Sequence, residues 1–146
     1  MTILIAYDGS ENADHAIAVA AELFPGASAE VLYVWEPGTG ASAATAVYGG
    51  GIEALDFQQD AANAVAQRGV DLALEAGLTA TAATIETAGP IWRGIVDRIE
   101  ELQPSVTVIG TRGLTGIRGA LAGSVARAAV SHADLPVLTV PLPAKH

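Results

Sequence analysis

Cysteine is absent from this 146-residue chain, which excludes disulfide frameworks, thiolate zinc sites and cysteine nucleophiles and fits a reducing compartment. Lysine occurs once, at Lys145, so no G-x-x-x-x-G-K-[ST] phosphate loop can be formed. No apolar run approaches the ~18 residues of a membrane span, and no transmembrane helix is expected. Met1 leads directly into Thr2–Tyr7, a strand-like segment without a cationic leader or cleavage site, so a cytoplasmic protein is expected. Positive charge is scarce overall, with 7 Lys and Arg against 16 Asp and Glu and a net charge of −9, which argues against a nucleic-acid partner. One further absence is local: no acidic residue lies between Leu102 and Ala133. Arg112, Arg118 and Arg127 give that segment +3, against −12 for the remainder. A cationic segment in an acidic protein suits a small anionic ligand; three arginines placed by chance on a solvated face are the alternative.

What is present is an alternation of strand and helix patterns. Residues 2–7 form an apolar strand ended by Asp8-Gly9-Ser10. Ser10 then caps a helix to about Leu23 with the stripe Ala13, Ala16, Ile17, Ala20. Val31–Trp35 is a second strand, and the small, nearly uncharged run 38–51 reads as a mobile loop. A long amphipathic helix is expected from about Glu53 to Ala76, and a strand of low apolar content over Thr79–Glu86 at a sheet edge. Ile91–Leu102 forms a helix stopped by Pro104, Val106–Ile109 a buried strand, Val125–His132 a helix and Pro136–Val140 a last strand. One α/β domain over 1–146, with a mostly parallel sheet and about 68–70% of the unfolded surface buried, follows from this order and length.

The chemistry concentrates between Val106 and Val140. A buried strand runs into a loop with glycines at 110, 113, 116, 119 and 123, and Ser124 opens the helix behind it. Unpaired backbone N–H groups and a helix N-terminus then converge, as an anion site requires. The loop contains no G-x-G-x-x-G dinucleotide fingerprint. In open α/β sheets ligands sit beyond the strand ends where the winding reverses, and Asp8 and Gly110 each end a strand.

Tyr7-Asp8-Gly9-Ser10-Glu11, Gly110-x2-Gly113-x9-Gly123-Ser124-Val125 and His132-Ala133-Asp134-Leu135-Pro136-Val137-Leu138 together resemble the universal stress protein family, in its nucleotide-binding branch. The resemblance covers the whole chain. It implies a Rossmann-like, adenine nucleotide alpha hydrolase-like fold: a five-stranded parallel open sheet in the order 3-2-1-4-5 with helices on both faces. It also implies an ATP site, with or without Mg²⁺. There Gly110 and Gly113 let the chain approach ribose and phosphates, and Gly123, Ser124 and the adjoining Val125 receive the phosphates. Asp8 borders the adenosine pocket, Val34 lies against adenine, and Ala6 and Ile109 flank it. Many relatives carry an acidic residue where this chain has Pro104-Ser105. Homodimerisation through Pro136–Val140 and a regulatory protein partner are further implications.

Each residue has a plainer reading. Asp8 and Ser124 are candidate helix caps, Arg112 and Arg118 are phosphate candidates or solubilising charges, and Arg127 is a surface residue. His15 and His132 lack metal-ligand spacing and read as structural or exposed, and Trp35 and Trp92 as packing residues. A side chain at Gly123 is expected to occupy phosphate space without disturbing the fold. The segment from Gly110 to Ser124 holds no acid and no histidine, whereas phosphoryl transfer needs a base or water-orienting group. A stress-response regulatory protein that binds ATP with little or no turnover is therefore expected. The alternatives are a slow ATPase or phosphotransferase, a binder of AMP or cyclic AMP, and a ligand-free dimeric module.

Overall fold

The computed structural model describes residues 1–37, 52–112 and 123–143. The expected loop at 38–51, together with Gly113, Gly116, Arg118 and Gly119, lies outside the described residues. The elements are β1 (Thr2–Ala6), α1 (Glu11–Leu23), β2 (Ser28–Trp35), α2 (Ile52–Glu75), β3 (Thr79–Glu86), α3 (Ile91–Leu102), β4 (Val106–Gly110), α4 (Ser124–His132) and β5 (Val137–Val140). All four strand pairings are parallel, and the sheet order is β3-β2-β1-β4-β5, as expected. The chain moves outward from β1 through β2 to β3 and then returns to the other side of β1. Winding reverses between β1 and β4, where Ile3 pairs with Val106 and Ala6 with Ile109.

Alternation along the strands divides the core. Ile3, Ile5, Val31, Val106 and Val108 pack beneath Ala13, Ala16, Ile17 and Ala20 of α1 and Val70 and Ala73 of α2. Leu4, Ala6, Leu32, Val34 and Ile109 point the other way, to Ile95 and Ile99 of α3 and Ala126 of α4. The central strands are buried on both sides, which is why they read as unbroken apolar runs. Each fully buried Ile or Leu, such as Ile3 or Leu32, contributes about 1.5–3 kcal/mol of transfer free energy.

β2 begins at Ser28 rather than Val31. Glu30 hid its first half: a carboxylate in mid-strand argues against burial, yet this one is 9% exposed. Arg98 of α3 closes on it with two hydrogen bonds of 2.6 Å, Nε to Oε1 and Nη2 to Oε2. A bidentate guanidinium satisfies both oxygens, so the charge is tolerated inside. The pairing with Glu30 holds the Arg98 guanidinium even more firmly protonated than usual. β3 forms the outer edge beside β2, as its thin apolar content predicts, and β5 forms the opposite edge.

Candidate functional site

The chain leaves β1 through Tyr7 and turns at Asp8. The Ser10 backbone N–H donates to Asp8 Oδ1 at 2.9 Å, and Ser10 Oγ accepts from the Ala13 N–H at 3.1 Å. Ser10 thus caps α1, while Asp8 closes the turn before it and keeps its second carboxylate oxygen outside that bond. Burial and then the Asp8 charge push the Tyr33 phenol above its ordinary pKa. Tyr7 is raised further, by burial first and then by its 2.5 Å hydrogen bond to Asp14 Oδ1. Both phenols therefore stay neutral beside the carboxylate through the physiological range.

Ala6, Val34 and Ile109 meet in one buried cluster on the α3/α4 face, with Val125 packed partly buried against it. These four expected pocket residues are brought together by the sheet order. Val34 is held from above: a Cβ on Gly94 of α3 would lie 2.6 Å from Val34 Cγ1, so the helix rests directly on this valine. The valine therefore has little freedom at the strand end.

On the other side of β1, β4 ends at Gly110 and its continuation is tied down at once. The Thr111 N–H donates to Val140 O at 3.1 Å, and the Arg112 N–H to Asn12 Oδ1 at 2.7 Å. Both amides are thus committed within the protein, which leaves the exposed Arg112 side chain as that residue's candidate for a phosphate contact. Gly123 follows with φ 73° as the N-cap of α4, and Ser124 is the first helical residue, exposed. The cap expected at Ser124 therefore falls one residue earlier, because the left-handed turn needs glycine. A Cβ at Gly123 would also lie 2.6 Å from the Thr111 carbonyl oxygen. Substitution there strains the backbone, which corrects the expectation that a side chain would block phosphate without disturbing the fold.

Asn12 belongs to none of the sequence motifs, yet it holds the loop entry. It is 2% exposed and stands one helical turn before Ala16, inside the apolar stripe of α1. A polar residue in such a stripe was the available signal. Elsewhere, Trp35 is 7% exposed and packs, and Trp92 stacks on the exposed His132 with ring centroids 4.2 Å apart. Arg93 lies 4.9 Å above the Trp92 ring. Arg127 is exposed on α4, and its N–H donates to Gly123 O at 2.8 Å. Among the described residues no cluster of three or more His, Asp or Glu side chains could hold a metal ion, and no helix is long and apolar enough to cross a membrane.

Comparison with known proteins extends this geometry. The hypothetical protein MJ0577 shares the fold with a TM-score of 0.78 at 18% identity, over 99% of this chain and 97% of its own. The universal stress family protein At3g01520 of Arabidopsis thaliana, solved with AMP bound, superposes with a TM-score of 0.68 at 18% identity, over 99% and 93%. A universal stress protein solved in complex with cAMP does so with 0.65 at 22% identity, over 96% and 95%. A search of curated protein sequences finds no match. The family model of the universal stress proteins matches residues 1–141, a span that includes the Asp8 turn, the loop entry at Gly110 and the start of α4. By that match, and by a sheet wound as these proteins wind theirs, the chain belongs to the universal stress protein family.

Proposed function

We propose that the protein binds ATP in the crevice between the ends of β1 and β4 and acts as a small cytoplasmic stress-response regulator with little or no turnover. The observation that carries this reading is the switch point itself. The Asp8 carboxylate, the Gly110–Arg112 segment and the first turn of α4 adjoin one reversal of winding, with Ala6, Val34 and Ile109 beneath it. Adenosine would lie against Val34, Ala6 and Ile109 with Asp8 at its border. Gly110 and Gly113 would leave room for ribose and phosphates, and the phosphates would meet Gly123, Ser124, Val125 and the Arg112 side chain. The AMP bound to the Arabidopsis protein and the cAMP bound to the other universal stress protein support the ligand class. The +3 charge of residues 102–133 favours the more highly charged ATP.

Mg²⁺ fits as a companion of the nucleotide, since it takes one or two carboxylates together with substrate phosphates, and Asp8 is the carboxylate at this crevice. That ion would neutralise phosphate charge. Asp8 spends one oxygen on the Ser10 amide, and no second acid or histidine stands between Gly110 and Ser124 to position a water. Binding without fast cleavage follows.

The reading is tested by denaturing the purified protein and identifying the released nucleotide by chromatography and mass spectrometry. ATP at a substantial fraction of the protein concentration is the expected result. AMP or cyclic AMP alone would replace ATP with the alternative ligand. Inorganic phosphate released over many turnovers per minute, and abolished in Asp8→Ala, would favour the ATPase reading instead.

A further inference from the structure

Two ends of the proposed nucleotide site are held by different parts of the molecule. The adenosine end rests on Val34, Ala6 and Ile109, fixed from the α3 side by the close approach of Gly94. The phosphate end begins at Gly110–Arg112, and what fixes it is Asn12. This side chain is almost wholly buried, and burying an amide is costly unless both of its ends are paired. Both are: Nδ2 donates to Val140 O at 3.0 Å, and Oδ1 accepts from the Arg112 N–H at 2.7 Å. Val140 O receives the Thr111 N–H as well, so the last residue of β5 and the first residues after β4 form one knot around Asn12. Gly110 is shaped to it, since a Cβ there would lie 2.9 Å from Asn12 Cγ. The knot also sets the Thr111 carbonyl against Gly123, the cap of α4.

We infer that Asn12 is a positioning residue for the polyphosphate: it orients the loop entry and, through Thr111 and Gly123, the start of α4, without touching adenosine. The inference rests on the nucleotide reading above. It makes Asn12 a determinant of how strongly the protein prefers ATP to AMP. A residue that merely supported the fold would lower affinity for both nucleotides alike.

The experiment compares ATP and AMP binding by calorimetry in wild type, Asn12→Ala and Asn12→Ser, with thermal melts to establish that each is folded. Serine tolerates burial and keeps a hydroxyl, yet is too short to span Val140 O and the Arg112 N–H, so it serves if the alanine variant does not fold. The ATP-over-AMP preference is expected to fall about 10-fold in either variant while AMP affinity stays within about twofold. In unliganded wild type the Arg112 amide should exchange slowly with solvent, and fast in the variants. Equal losses for ATP and AMP, an unchanged preference, or fast Arg112 exchange in wild type would each overturn the role of Asn12 and leave nucleotide binding standing. A wild-type protein that binds neither nucleotide would overturn the proposed function itself.

Discussion

Val34 shows how a single side chain can belong to the core and stand at the proposed site. It is 6% exposed, joins the cluster beneath α3, and stands one residue before the end of β2. Its position depends on an absent atom, the Cβ of Gly94. Gly94→Ala would place a methyl 2.6 Å from Val34 Cγ1, so either α3 lifts or the valine shifts. The expected cost is about 1–3 kcal/mol in urea denaturation, together with weaker AMP binding. A variant as stable as wild type would show that α3 does not bear on Val34. The valine itself is legible in the sequence as an apolar strand residue, but the glycine above it is not: inside a helical pattern Gly94 carries no mark of what it touches. Asn12 and Glu30 were hidden differently, because a polar side chain in an apolar pattern reads as exposed until its partner is known. The partners, Val140 and Arg98, lie 128 and 68 residues away.

Among the elements, β5 is the most consequential after the loop entry. It forms one edge of the sheet and carries the apolar residues Val137, Leu138 and Val140 in a short strand. The Thr107 N–H reaches Pro136 O and the Thr111 N–H reaches Val140 O, so even-numbered residues of β5 face β4 and Thr139 turns its backbone outward. The homodimer that the family resemblance implies would pair two such edges. Thr139→Pro removes an outward N–H while leaving the bonds to β4, and it should convert the dimer to a folded monomer in sedimentation at micromolar concentration. A proline variant that remains dimeric would place the interface elsewhere. Element order was readable because helical and strand periodicities alternate cleanly from Thr2 to Val140; the cap of α4 was not. Ser124 has the right chemistry for a cap, but the close passage of the Thr111 carbonyl, a tertiary fact, assigns that position to Gly123.

At the scale of the whole molecule, topology and charge act together. Returning from β3 to pair β4 with β1 joins the Asp8 turn, which opens the chain, to a cationic segment that begins a hundred residues later. The acidic remainder repels polyanions, while the +3 charge of the segment from Leu102 to Ala133 suits the small anion proposed above. The proposed site needs both halves: Ala6 and Val34 would give adenosine an apolar bed, and the start of α4 and the Arg112 side chain would meet the phosphates. The sequence alone made this adjacency conditional on strand order, since periodicity identifies strands without ordering them. Titration calorimetry of the purified protein, stripped of bound nucleotide, with ATP, AMP, cyclic AMP and adenosine in turn tests the central claim most directly. Saturable one-site binding of ATP, tighter than that of AMP and of adenosine, is the predicted result; no heat of binding from any of the four at millimolar concentration would contradict it.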